Sequence, residues 1–499
     1  MSENEKTTLS VWLDRIIFGC VLLTALAAPV SIAVTNIGWI TGVFLWLIRS
    51  FIRPRPVFFR TKLDFALLGF WGWCLLSCFF SYAPDLSFDR WRVLTLFPIA
   101  YLVANNVRET RMVRWLVGAL IFSTMVTVGW TFVERGIGRG VQVYGIKPDG
   151  ALGFAGVREG DTLLKINGKK LIIPEQLVDA LQESETPASG TIKINLYRPD
   201  YYVDVEIKNS LSRGATMRAE DALGFERWQR GRNWRSAGFY DHYTTYAEVL
   251  QLIMSLVLGL LIAHPQKKSK LGGLLLFCLV TMGLALLLTA TRASQVGFLL
   301  STLSIVAVGS NRRVFLTILA VFLPLAVIAA IYVQQSRNTG FVDSSDNSTT
   351  WRLTVWREGV ELLAKSPRHL LVGVGIDSIK RYKCEWGLFD NCTLPAGHFH
   401  STPLQIAVEC GLPALFLWLL VVFRYGKSLF VRQKQVTDWF AKGVLLGAFG
   451  GLIGFFASGA VHYNLGDSEV AMVFYLIMGL GLVLCRRNLS ESAAAQMAD

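Results

Sequence analysis

The sequence predicts an all-α polytopic membrane protein of about twelve transmembrane helices, carrying one small α+β insert. Three observations support this. Of 499 residues, 53% are hydrophobic and only 17% charged, with a mean hydropathy of +0.43, a balance that does not fit a water-facing surface. Apolar stretches of about twenty residues, the length that crosses a ~30 Å hydrocarbon core, recur from Val11 to Cys485. Lys and Arg gather in short clusters between them, so the net charge of +13 sets membrane orientation and does not indicate nucleic acid. A secreted soluble enzyme, a disordered chain and a DNA-binding protein are excluded.

In order, the spans fall near residues 13–33, 37–50, 63–81, 93–106, 115–133, 243–263, 271–289, 294–310, 314–333, 402–423, 438–460 and 468–485. The first starts after a polar stretch and flows into the second with no small-residue cleavage site, so it is expected to stay as an anchor. Basic clusters fall on alternate loops, at 49–62, 108–114, 267–270, 312–313, 424–434 and 486–487. The positive-inside rule makes these loops cytoplasmic and, with an even number of spans, both termini as well. The outer face receives short turns around Asn36, Asp85, Arg292 and Asn464, and two long segments, 134–242 and 334–401. Chemistry is expected there, because the cytoplasmic loops are too short to house a site.

The apolar pattern stops after Glu134 and short β-type runs begin. The insert reads Gly-Val-Gln-Val at 140–143, Lys-Pro-Asp-Gly-Ala at 147–151, Ala-Gly-Val-Arg-Glu-Gly-Asp at 155–161 and Leu-Leu-Lys-Ile-Asn-Gly at 163–168. A helix from Pro174 to about Glu183 and two alternating strands, Thr191–Tyr197 and Tyr202–Ile207, follow. Gly160, Asn167 and Gly168 suit turn conformations that a β-branched residue resists. Over 136–208 this text resembles a bacterial PDZ domain. The resemblance implies peptide binding by strand addition, with the ligand loop at about Gly136 to Val143, or else a rigid spacer. From 209 to 242, Arg213, Arg218, Arg227, Arg230, Arg232 and Arg235 interleave with Trp228 and Trp234. Beside a membrane this reads as an interfacial helix with indoles at headgroup level and guanidinium groups on phosphates.

Three further passages put polar residues where they are costly. Thr289-Ala-Thr-Arg-Ala-Ser294 sets Arg292 in an apolar context, where arginine costs at least about 2.5 kcal/mol unless paired or functional. Thr350-Trp-Arg-Leu-Thr-Val-Trp-Arg357 reads as a helix with Arg352 and Trp356 on one face, leading through Pro367 to Gly373-Val-Gly375. Gly397-His-Phe-His-Ser-Thr-Pro403 sets two of the six histidines two residues apart at the mouth of a membrane helix, ahead of Glu409-Cys-Gly-Leu-Pro413. A close His pair without a further His or Asp set is a weak metal signal, and a neutral imidazole suits proton removal from a hydroxyl. Cys384 and Cys392 both fall in the second outer loop, where an oxidising compartment permits a disulfide.

Together these passages resemble the O-antigen ligase and O-antigen polymerase superfamily of bacterial inner membranes, over roughly the whole membrane portion. Ser401 stands where members often carry Asn, and Arg235-Ser-Ala-Gly-Phe-Tyr240 is similar to the family's Arg-x-x-Gly segment. The resemblance implies transfer of a glycan from an undecaprenyl-diphosphate carrier to a hydroxyl acceptor on the periplasmic face, without cofactor or metal. His400 is then the expected base, with His398 as its orienting neighbour. Arg292, Arg352 and Arg235 are expected to hold the departing diphosphate, since arginine offers a planar, permanently charged fork. The acceptor is lipid A core in a ligase, the favoured reading, and another carrier-linked repeat in a polymerase. Protein O-oligosaccharyltransfer, and a non-catalytic receptor whose PDZ-like domain recruits peptide partners, are the alternatives. The expected organisation is 1–133 for helices one to five, 136–208 for the PDZ-like domain and 209–242 for the basic aromatic segment. Helices six to nine occupy 243–333, the periplasmic catalytic loop 334–401, and the last three helices and tail 402–499.

Overall fold

The computed structural model describes residues 8–94, 96–182, 191–198, 201–208, 218–313, 315–316, 320, 347–394 and 397–486. The chain divides into two compact units, one of residues 1–127 with 239–499 and one of 128–238.

Nine helices among the described residues are long and apolar enough to cross a membrane: Thr8–Ala27, Ile32–Phe51, Thr110–Ile137, Tyr243–Ala263, Lys270–Leu288, Arg292–Gly309, Thr402–Gln433, Trp439–Gly459 and Ser468–Cys485. Asp64–Phe79 is apolar but shorter, at 16 residues. The span expected at 93–106 is instead two short helices, Pro84–Leu94 and Pro98–Asn106; Pro98 has no N–H to continue the first and starts the second. The span expected at 314–333 lies almost wholly outside the described residues. The first turn is at 28–31 and not around Asn36, because Ser31 caps the second helix by accepting the Val34 N–H. Asn36 sits inside that helix and accepts a hydrogen bond from Trp39 Nε1 at 2.9 Å.

Burial separates inner from peripheral helices. The spanning windows of Tyr243–Ala263 and Ser468–Cys485 are each 83% buried, against 28% for Thr8–Ala27. The close approach is made by small residues: a Cβ on Gly259 would lie 2.4 Å from both Gly443 O and Gly447 N. Polar side chains join neighbours inside the bundle, with Gln251 Nε2 donating to Ser301 Oγ (2.9 Å) and Ser301 Oγ to Gly450 O (2.6 Å).

The second unit holds an antiparallel sheet of β1 (Arg139–Tyr144), β2 (Thr162–Ile166), β3 (Lys169–Lys170), β4 (Thr191–Arg198), β5 (Tyr201–Lys208) and β6 (Arg227–Gly231). The order is β5-β4-β2-β1-β6, with β3 on β2. Val141, Val143, Leu163, Ile192, Ile194 and Phe225 fill its core, covered by Leu177 and Val178 of the Glu175–Gln182 helix. Asn167 and Gly168 take positive φ of 45° and 81° in the expected turn.

Two expectations change here. Residues 227–231 form no interfacial helix but the edge strand β6, paired with β1 in the register Val141↔Arg230 and Val143↔Trp228. Trp228 packs on the sheet core, and Trp234, 2% exposed, packs with Leu164 and Tyr197 beneath the Arg135 guanidinium. These indoles cover apolar surface within the unit, which extends past residue 208 to Gly238. The ligand loop expected at 136–143 is not available either. Ile137 ends a helix, and β1 has β2 on one side and β6 on the other, so no incoming strand can pair with it.

Candidate functional site

The Thr402–Gln433 helix is not continuous. Gly411 adopts φ 85° and ψ 168°, which breaks the helix, and Pro413 beyond it has no N–H to bond back across the break. The freed backbone meets the Gly373-Val-Gly375 segment: Val374 N–H donates to Val408 O and Gly375 N–H to Glu409 O, both at 2.9 Å. The contact is too close for side chains. A Cβ on Gly411 would lie 2.1 Å from Leu371 O, and one on Gly373, at φ 72°, would lie 2.3 Å from the Glu409 carbonyl group. The glycines of both motifs thus serve one junction. Glu409, buried in it, accepts the Asp377 N–H at 2.8 Å and so fixes the start of the short Ser378–Tyr382 helix.

His398 and His400 stand just ahead of this broken helix, on either side of a clamped Phe399. The Phe399 N–H donates to Gln405 Oε1 (2.8 Å), its carbonyl accepts from Trp356 Nε1 (2.9 Å), and its ring is fully buried beside Phe389. The two imidazole centroids are 4.0 Å apart, and the His400 N–H donates to His398 Nδ1 at 3.2 Å. His398 therefore carries its proton on Nε2 when neutral. His400 has φ 47°, a left-handed conformation that a non-glycine residue holds only when its surroundings impose it. Ser401 occupies the cap position but makes no side-chain cap bond. Thr402 anchors the helix start by donating its N–H to His462 O (3.0 Å) and its hydroxyl to Asn464 Oδ1 (2.8 Å).

Trp351 meets the His400 ring edge-on at 4.6 Å, and Trp356 of the same Asn347–Ala364 helix holds the Phe399 carbonyl. Arg352, between these two tryptophans in sequence, lies within electrostatic reach of His400. Burial is the main reason that both imidazoles are weak bases. It pushes His398 down to about 4, helped by Lys380 and Arg90 and opposed by Asp377. It pushes His400 down to about 2, helped by His398, His462, Arg352 and His242. Both rings are neutral at pH 7.

Arg292 begins the Arg292–Gly309 helix after Ala290 at φ 51°. That helix packs on Trp439–Gly459, with Gly297 against Gly454 and Ser458, so Arg292 lies at the end that leads to His462. Thr245 Oγ1 donates to Asp467 Oδ2 at 2.6 Å, which brings the start of Tyr243–Ala263 to the same end. His398, His400 and Arg352 are thus brought together, and Arg292 stands at the same end of the bundle. Arg235 belongs to the other unit. Cys384 and Cys392 are bonded to each other in the loop ahead of the histidines.

Sequence reasoning missed His242, His462, Asp377, Lys380 and Arg90. His242 and His462 had one available signal, since both fall on segments read as lying on the outer face. Asp377 pairs with Lys380 at 2.8 Å and with Arg90 Nε at 3.7 Å. Among the described residues no three His, Cys, Asp or Glu side chains are grouped so as to hold a metal ion.

Comparison with known proteins bears on this same stretch. Residues 277–419 match a family model described as O-antigen ligase, and the match covers Arg292, Arg352, the glycine junction and both histidines. The exopolysaccharide production protein ExoQ of Rhizobium meliloti (strain 1021) is 31% identical over 163 residues, 30% of this chain. The chain spans 35% of that curated relative's length.

Proposed function

From the likeness of residues 277–419 to the O-antigen ligase family we propose that the chain is an inner-membrane glycosyltransferase working on the periplasmic face. It takes a glycan from undecaprenyl diphosphate and passes it to a hydroxyl on lipid A core. The observation that carries this reading is the neutral His398–His400 pair set against Arg352 at the mouth of a broken membrane helix.

In the reaction the acceptor oxygen attacks the anomeric carbon while its proton passes to His400. The bond from that carbon to the diphosphate oxygen breaks, and the electron pair leaves with the diphosphate. Arg352 and Arg292 stabilise the growing charge. A base as weak as free His400 gains strength from the substrate itself. The diphosphate brings negative charge to a ring whose proton affinity is lowered by burial and surrounding cations. No metal takes part in this scheme.

The experiment is transfer in membranes from a defined lipid-linked glycan, with lipid A core and peptide acceptors offered separately. His400→Ala is expected to lower turnover by roughly 10²–10⁴-fold with donor binding retained, and chelator to change nothing. Normal transfer by His400→Ala, or chelator inhibition reversed by a divalent cation, overturns the assignment. A second reading, a polymerase whose acceptor is another carrier-linked glycan, draws on the similarity to an exopolysaccharide production protein. Elongation of a lipid-linked repeat without lipid A core decides for it.

A further inference from the structure

A group of aromatic rings next to the histidines has no part in the scheme above. Tyr382 and Trp386 stack with centroids 5.2 Å apart and 19° between planes. Tyr82 stands across them, 5.2 Å from Trp386 at 75° and 6.4 Å from Tyr382 at 68°. The rings therefore form two walls of a corner, and Arg368 lies over the Tyr82 ring at 4.2 Å, so one face of that wall is taken and the other borders the corner. Tyr82 is 38% exposed, and Tyr382 and Trp386 are half-buried.

The corner is held firmly. The Tyr82 hydroxyl donates to His369 Nε2 (3.0 Å), whose Nδ1–H in turn donates to Leu362 O (2.7 Å). Tyr82 N–H donates to Val374 O (3.1 Å), within the glycine junction, and Tyr382 OH donates to Tyr82 O (3.1 Å). Trp386 lies inside the loop closed by the Cys384–Cys392 bond and leans on the Phe389–Phe399 cluster. The rim is charged and polar: Arg381 forms a two-pronged pair with Asp85 at 2.8 and 2.6 Å, both side chains exposed.

We infer that Tyr82, Tyr382 and Trp386 form the subsite that receives the acceptor's glycan. This rests on the transfer reading above. A sugar ring has an apolar C–H face and an edge of hydroxyls, and the corner offers ring surface bordered by a charged fork. Rings that only anchored a protein at the membrane surface would point toward lipid, and these pack on one another under a charged rim. The side of the site is also defined. Arg352 acts on His400, whereas Lys380, on the helix that carries Tyr382, acts on His398 and lies against Gly397. Donor diphosphate and acceptor glycan thus approach the histidine pair from different neighbours.

The test uses the full chain in detergent and core oligosaccharide released from its lipid by mild acid, titrated by equilibrium dialysis without any donor. Binding by wild type and by His400→Ala, with loss of about tenfold or more in Tyr382→Ala and in Arg381→Ala, supports the subsite. In the transfer assay the same two variants should raise the acceptor KM while donor KM and kcat stay near wild type. No oligosaccharide binding by wild type, or equal binding by all variants, overturns it. Saccharide binding by a wild type that transfers no glycan leaves the subsite standing and removes the transferase reading, so the two fail separately.

Discussion

His400 is held in a left-handed conformation by Trp351 and His398 against its ring and by the clamp on Phe399 beside it. Phe399 is clamped by Gln405 and Trp356, which fixes the backbone of the two flanking histidines. Their low basicity has a consequence for stability. A folded-state value of about 4 for His398 and about 2 for His400, below the ordinary value of about 6.5, means that the unfolded chain binds more protons in the interval between. Stability is thus fully present above about pH 6.5 and falls as pH drops from there toward 4 and below. Apparent Tm in detergent should decline across that range, and a His398→Asn, His400→Asn double variant should decline less; equal slopes would argue against buried neutral imidazoles. His398, His400 and Arg352 were legible in the sequence because polar residues are rare and costly in apolar text. Asp377 and His462 were not, because they arrive from distant segments and one sequence carries no record of which segments meet.

The glycine junction is the element on which the site's geometry depends. Gly411→Ala must place a Cβ 2.1 Å from Leu371 O at φ 85°, so either the helix break or the Gly373 segment has to move. A loss of at least about 1–3 kcal/mol is expected, read as a lower Tm together with weakened transfer. Gly118→Ala, with nothing within 4 Å of the added atom, is the matched control and should be close to neutral or slightly stabilising. If Gly411→Ala matched that control, the junction would not be tight. Among elements, long apolar helices were read well because length alone identifies them. The split at Pro98 is hard to read from hydropathy, because one proline barely changes the average of an apolar run. The strand β6 was missed for another reason. Its alternating exposure, from exposed Arg227 through half-buried Trp228 to exposed Gln229, has the period of a strand, but the density of arginine and tryptophan suggested a membrane surface.

At the scale of the whole molecule, sidedness follows from where the cationic loops fall. Arg432 donates to Leu484 O and Arg486 O, so two of the basic clusters meet at one end of the bundle, opposite the histidines. Single cysteines introduced at Lys170, exposed on β3, and at Lys268 should differ: an impermeant outside reagent blocks position 170 and not 268. Blocking of 268 alone would invert the orientation. The strand order of the sheet also governs when that unit can fold. β1 is the first strand made and β6 the last, yet they lie side by side, so the earliest strand keeps an unpaired edge until nearly the entire insert has been synthesised. Closure of the sheet therefore waits on completion of the chain, and a chain stalled before Arg227 should stay open to protease where one released after Gly238 resists. The insert is fastened by its last strand, and synthesis is the clock that sets when it closes.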